Sequence, residues 1–129
     1  MANENKKTIL LVDDDEMQLT TAELFLKSEY EIYKMTSGEE AIEHLSTKKI
    51  TPDLIMLDIL MPKMDGWEVL KRIRAIGFLK DIPIIFLTSL EEEADKKQAL
   101  KLGVTDFITK PYNMMDLKGR VKDAIKLRP

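Results

Sequence analysis

The chain contains no cysteine. That excludes disulfide frameworks, thiolate zinc sites and cysteine nucleophiles. A single histidine, His44, all but excludes multi-histidine metal sites and a phosphohistidine relay within the chain. No apolar run approaches the ~18 residues of a transmembrane helix. The start, Met-Ala-Asn-Glu-Asn-Lys-Lys, leads into only a short apolar run without a cleavage-site pattern, which argues against a secretory signal. Neither sign of charge dominates: the net charge is −3, too little basic excess for bulk nucleic-acid binding. No repeat, low-complexity tract or linker breaks the chain. Its 129 residues, 44% hydrophobic and 33% charged, predict one soluble, cytoplasmic domain spanning residues 1–129. That length buries a real core without disulfide or metal staples.

Five apolar runs alternate with helical stretches, at residues 8–12, 31–35, 54–57, 84–87 and 104–108. Strand alternating with helix predicts an α/β fold, a parallel sheet covered on both faces. The first, third and fourth runs are continuously apolar, as central strands buried on both faces require. The second carries charge and the fifth mixes polar with apolar residues, so both belong at edges. The doubly wound, flavodoxin-like order 2-1-3-4-5 with five helices satisfies this. Helix starts are signalled by Asp15, Ser37, Asp65 and Ser89, each followed three residues later by Gln or Glu, the pattern of a capping box. Asn113 is placed to cap the fifth helix, with Leu117, Val121, Ala124 and Ile125 as its inner face. Gly103 ends the fourth.

In such sheets ligands bind beyond the carboxyl ends of the strands, where the strand order switches. The first strand ends in Asp13, Asp14 and Asp15, and the third in Asp58. The fourth ends in Thr88 and Ser89, and the fifth in Thr109, Lys110 and Pro111. Carboxylates, a hydroxyl and a lysine therefore converge on one edge. Clustered carboxylates repel one another unless a cation joins them. Oxygen ligands without His or Cys suit Mg²⁺. A carboxylate can also act as a nucleophile and form an aspartyl phosphate. The set is complete for phosphoryl transfer to an Asp.

The motifs Leu11-Val12-Asp13-Asp14, Asp58-Ile59-Leu60-Met61-Pro62-Lys63-Met64-Asp65-Gly66, Pro83-Ile84-Ile85-Phe86-Leu87-Thr88-Ser89 and Asp106-Phe107-Ile108-Thr109-Lys110-Pro111 occur in that order, each at a strand end. With them the chain resembles the receiver domain of two-component response regulators, and is similar to the single-domain chemotaxis regulators, from Ile9 to about Leu127. The resemblance implies a phosphoacceptor signalling module of a phosphorelay, not a turnover enzyme. It implies Asp58 as phosphoacceptor. It implies Mg²⁺ held by Asp13, Asp14, Asp58 and the backbone carbonyl of Leu60, with Asp14 the more direct ligand of the acidic pair. Lys110 would pair with Asp58 and then with the phosphoryl group. Thr88 and Phe107 would form the switch that carries the signal to the surface of helix 4, strand 5 and helix 5, and a cis peptide before Pro111 would aim the lysine. The implied phosphodonor is a sensor histidine kinase or histidine phosphotransfer protein. The downstream target or effector domain is unspecified, and no direct nucleic-acid or membrane contact is implied.

Each residue has a plainer reading. Asp15 is expected to cap a helix rather than bind metal, and Asp65-Gly66 to start one. Phe107 could be core, His44 an ordinary surface residue, and the eight methionines core filler. Two rivals compete for the whole site. A Mg²⁺-dependent aspartate-nucleophile phosphatase needs a second Asp two residues after the nucleophile, where this chain has Leu60. An FMN carrier needs a Thr/Ser/Gly-rich phosphate loop after the first strand, where this chain has Asp13-Asp14-Asp15-Glu16. Leu60 and Leu90 are expected to flank the acceptor and keep water from it.

Overall fold

The computed structural model describes residues 6–90 and 92–126. Five strands, β1 (Lys7–Val12), β2 (Tyr30–Met35), β3 (Leu54–Leu57), β4 (Ile84–Thr88) and β5 (Asp106–Thr109), alternate with five helices. The helices are α1 (Glu16–Leu26), α2 (Gly38–Ser46), α3 (Gly66–Ala75), α4 (Glu93–Lys101) and α5 (Met114–Lys126). A short 3-10 turn, Gly77–Leu79, follows α3. The sheet is parallel throughout, in the order β2-β1-β3-β4-β5. The two continuously apolar neighbours of β3 are indeed central, and the charged run is an edge.

Alternation along the strands divides the core in two. Leu10, Val12, Ile55, Leu57, Ile84, Phe86 and Phe107 face α2, α3 and α4. Ile9, Leu11, Leu54, Met56, Ile85, Leu87 and Ile108 face α1 and α5. Full burial of one such apolar side chain stabilises the fold by about 1.5–3 kcal/mol. Edge strand β2 stays half exposed and carries the Lys34–Glu23 ion pair at 2.8 Å. Charge of this kind discourages edge-to-edge pairing.

Capping follows the sequence signals in four helices. Asp15 accepts from the Met17 and Gln18 N–H groups, Ser37 from Glu40, Asp65 from Glu68 and Asn113 from Asp116. The fourth helix departs from expectation. It starts at Glu93, and its N-cap is Glu92, which makes no side-chain capping bond among the described residues, rather than Ser89. The Leu90 N–H is instead donated to Thr88 Oγ1 at 3.4 Å, which holds the chain in a turn beyond β4 and delays the helix. Glu91, part of the expected cap, lies outside the described residues. Helix α4 is thinly attached, with Ala99 its one buried described residue. Its far end stops at Gly103, with φ +93°, a conformation glycine adopts without strain. Arg74 ties that end down, donating to the carbonyls of Gly103 at 2.9 Å and Ile82 at 2.8 Å.

Candidate functional site

The sheet ladder carries the site residues into place. The Asp58 N–H donates to the Val12 carbonyl at 2.9 Å, the Asp13 N–H to Met35 at 3.1 Å and the Lys110 N–H to Thr88 at 2.8 Å. Each residue thus continues the pairing one step past its strand, and the backbone has little freedom to misplace it. Val12 pairs with Leu57 in register, so Asp13 and Asp58 emerge side by side. The loop after Asp58 is locked against it. Gly66 donates its N–H to the Ile59 carbonyl at 2.9 Å. A Cβ there would lie 2.5 Å from the Asp58 carbonyl oxygen and 2.6 Å from Ile59 Cα. Sequence reasoning identified Asp65-Gly66 as a helix start but not this close approach. Its signal was present, a glycine at the foot of a helix beside the acceptor loop.

Asp13, Asp14 and Asp58 offer carboxylate oxygens that all lie within 4.8 Å of one another. Asp13 and Asp58 are buried, and Asp14 is exposed. Lys110 reaches into this group. Its Nζ is 2.7 Å from Asp13 Oδ2 and 3.7 Å from Asp58 Oδ2. The tighter partner is Asp13, whereas the sequence reading paired the lysine with Asp58. Asp13 lies nearer because its other oxygen already accepts the Asp15 N–H at 3.0 Å, which turns Oδ2 toward the lysine. Asp58 Oδ1 accepts the Leu60 N–H at 3.3 Å. Burial pushes the Asp58 carboxyl above its ordinary range. Lys110 opposes this, the charge of Asp13 adds to it, and the Thr88 hydroxyl and Leu60 N–H also favour the ionised form. A strand end that collects buried acids around one lysine attracts a cation. Three hard carboxylate oxygens with no soft donor fit Mg²⁺.

The group opens into a cleft of about 690 Å³ whose lining includes Asp14, Leu60, Ser89, Lys110 and Tyr112. Asp15 is occupied as the α1 cap. Thr88 is fully buried at the end of β4. Phe107 is turned inward, its ring edge-on to Phe86 with centroids 6.1 Å apart. Phe86 in turn meets Trp67 edge-on at 5.2 Å. The Lys110–Pro111 peptide is cis. Leu60 is exposed over the cleft, but Leu90 is partly buried against the core on the α2, α3 and α4 side and is not among the residues lining the cleft. The expectation that both leucines flank the acceptor holds only for Leu60. His44 sits on α2, its ring bonded to the Glu40 carbonyl. In the basic stretch of α5, Arg120 is held by Asp106 and Asp116. No described helix is long and apolar enough to cross a membrane.

Comparison with known proteins agrees with this geometry. The family model of the response regulator receiver domain matches residues 9–122. The alkaline phosphatase synthesis transcriptional regulatory protein PhoP of Bacillus subtilis is 42% identical over 123 residues, covering 95% of this chain and 49% of that protein. The chain spans about half the length of several curated relatives it matches. Among solved structures, the receiver domain of a Pseudomonas aeruginosa sensor histidine kinase, with a magnesium ion coordinated in its active-site cleft, superposes with a TM-score of 0.84. It is 28% identical, over 94% of this chain and 98% of that one. The phosphorylated cyanobacterial phytochrome response regulator RcpA superposes with a TM-score of 0.80 at 31% identity, over 95% and 94%. With the strand order, the acidic strand ends and these matches in agreement, the chain belongs to the response regulator receiver domain family.

Proposed function

We propose that Asp58 is the phosphoacceptor of this receiver domain and that the domain serves as a switch rather than a turnover enzyme. The observation that carries the reading is the convergence of Asp13, Asp14, Asp58 and Lys110 at one strand edge. Asp58 ends the buried middle strand β3 and lies within reach of both the acidic pair after β1 and the lysine after β5. An Asp58 carboxylate oxygen forms the new bond to phosphorus. The bond to the donor's imidazole nitrogen breaks, and that nitrogen leaves with the electron pair and takes up a proton. A histidine phosphorylated on a sensor kinase or transfer protein is the donor chemistry that fits.

Asp13, Asp14, Asp58 and the Leu60 carbonyl are the groups that would hold Mg²⁺. When bound, the ion supplies charge neutralisation for the crowded carboxylates and phosphoryl oxygens. Lys110 supplies a further positive charge to the phosphoryl group. The buried Thr88 hydroxyl offers it a hydrogen bond, and movement of that hydroxyl loosens the Leu90 N–H it now holds. Phe107, packed beneath α4, is the side chain placed to transmit that movement toward α4, β5 and α5. The phosphatase and FMN readings lack support at Leu60 and at the acidic loop after β1.

Acetyl phosphate with Mg²⁺ tests the assignment. Intact mass should show one phosphoryl group, mapped by peptide analysis to Asp58. The Asp58→Asn protein should remain unlabelled, and full labelling at another residue would refute the reading.

A further inference from the structure

The sequence signal at the start of α1 is a capping box, Asp15 with Gln18 three residues on, and the structure uses only half of it. Asp15 accepts the Met17 and Gln18 N–H groups. The return bond, from the Asp15 N–H to the Gln18 side chain, is absent among the described residues, because that N–H is already given to Asp13 Oδ1 at 3.0 Å. The Gln18 amide is left half-buried, without a hydrogen-bond partner among the described residues. It lines the cleft together with Asp13, Asp58 and Lys110. A small void walled by Asp13 and Asp58 has Gln18 on its lining as well, so the residue stands next to the acceptor.

Gln18 opens a lobe of the cleft that the acids do not line. Gln18, Thr21 and Phe25 follow one another along one face of α1, and Phe25 meets Tyr112 edge-on with centroids 6.0 Å apart. Pro111 and Tyr112 supply the other wall. The Thr21 hydroxyl donates to the Met17 carbonyl at 3.0 Å, and the Tyr112 hydroxyl is buried with no hydrogen-bond partner among the described residues. The lobe thus offers ring faces at Pro111, Phe25 and Tyr112, and the Gln18 amide brings to it both an unused donor and an unused acceptor. The surrounding charge selects against an anion, since the cleft sets the carboxylates of Asp13, Asp14, Asp15 and Asp58 against the ammonium of Lys110. A flat, uncharged ring with one N–H suits such walls, and a carboxylate does not.

We propose that Gln18 and Pro111 form a subsite for the leaving group of the phosphodonor, an imidazole ring. Pro111 packs on the ring face, and the Gln18 carbonyl oxygen accepts the N–H of the ring nitrogen that does not carry phosphorus. The bond from Asp58 to phosphorus forms as the phosphorus–nitrogen bond breaks. The electron pair of the broken bond stays on its ring nitrogen, and the N–H held by Gln18 keeps its proton. The ring therefore leaves uncharged before it takes up a proton from water. The hydrogen bond holds the ring in line with the attacking oxygen and favours the form that departs without charge. The subsite distinguishes imidazole donors from acyl phosphates, whose departing group is an anion with no N–H to give. The proposal rests on Asp58 being the acceptor.

The test uses the full chain with monophosphoimidazole and acetyl phosphate as donors in Mg²⁺, and follows labelling by intact mass. Gln18→Ala should lower the ratio of the two rate constants, imidazole donor over acetyl phosphate, by about threefold to tenfold, the worth of one hydrogen bond. Gln18→Glu keeps an acceptor oxygen and should hold that ratio near the wild-type value, whatever it does to either rate. A loss of folding or of acceptor reactivity lowers both rates together and leaves the ratio where it was. Free imidazole added to the Mg²⁺–beryllofluoride form should shift the side-chain amide resonances of Gln18 in NMR spectra. An unchanged ratio in Gln18→Ala, a ratio that falls as far in Gln18→Glu, or an amide unmoved by imidazole would overturn the proposal. Labelling of wild type at a residue other than Asp58 overturns both readings, whereas a wild-type ratio in Gln18→Ala with Asp58 labelled overturns only this one.

Discussion

The ammonium of Lys110 and the carboxylate of Asp13 form the shortest ion pair of the site, 2.7 Å, between residues 97 positions apart in the chain. Both are largely buried. The pair therefore does more than an exposed salt bridge: it ties the end of β5 to the end of β1 across β3 and β4. It also leaves Asp58 with the weaker share of the lysine's charge, and that imbalance bears on stability.

Asp58 is buried, and its carboxyl is pushed above the ordinary range chiefly by that burial. A carboxyl whose folded value is raised favours the fold below its unfolded value, and that contribution is lost as pH rises through the folded value. At neutral pH the ionised Asp58 therefore opposes folding. In a chelator, Asp58→Asn should raise Tm at pH 7. The difference should shrink as pH falls toward the unfolded carboxylate value. Thermal melts of both proteins across that range give the answer, and a variant less stable at pH 7 would contradict the burial argument.

Asp14 and Asp15 adjoin in sequence but differ in role. Asp15 accepts two helix N–H groups, and Asn caps about as well as Asp. Asp15→Asn should change stability by less than about 0.5 kcal/mol and leave Mg²⁺ affinity nearly unaltered. Asp14→Asn removes one of the three clustered carboxylates and should weaken Mg²⁺ binding by about tenfold or more. Mg²⁺ titration followed by Trp67 fluorescence or calorimetry compares them, and equal losses would mean that the Asp15 cap does not keep it from the metal.

The Thr88 hydroxyl interacts with Asp58 and accepts the Leu90 N–H. Thr88→Ala should therefore still accept a phosphoryl group while transmitting it poorly. The observable is the set of NMR shift changes in α4 and β5 on adding beryllofluoride. A full wild-type pattern in the variant would take Thr88 out of the coupling.

Leu60 and Leu90 now separate. Leu60 is 52% exposed over the cleft beside Asp58. It can keep water from the line of attack on phosphorus, and it orients none. Leu60→Asn should speed loss of the phosphoryl group by about threefold to tenfold, since ~1.4 kcal/mol of barrier is a factor of ten. Stability should hardly change. Leu90 is partly buried and packs against the core on the α2, α3 and α4 side of the sheet, so Leu90→Glu should cost about 1–3 kcal/mol of stability and change the lifetime less. Decay of the phosphorylated species in Mg²⁺, with a melt of each variant, distinguishes the two. A slower decay for Leu60→Asn would refute water exclusion.

The sequence by itself determined the sheet order, because only continuously apolar segments such as Ile84-Ile85-Phe86-Leu87 can lie between two layers of helices. It likewise determined which residues stand at the strand ends, since Asp13, Asp58, Thr88 and Lys110 follow directly from where the apolar runs stop. Local signals also marked four helix caps, for a cap is a matter of three or four neighbouring residues. What lay beyond it were relations across the chain. Whether Lys110 leans on Asp13 or Asp58 depends on distances set by four strands packing together. Whether Leu90 faces water or core depends on where β4 ends and α4 begins, and the Ser89 signal misplaced that start because Thr88 holds the Leu90 N–H first. The close seat of Gly66 on the Asp58 carbonyl and the unpartnered Tyr112 hydroxyl arise the same way. Propensity and pattern describe neighbours in sequence, whereas these are contacts between elements that meet only when the sheet closes its layers.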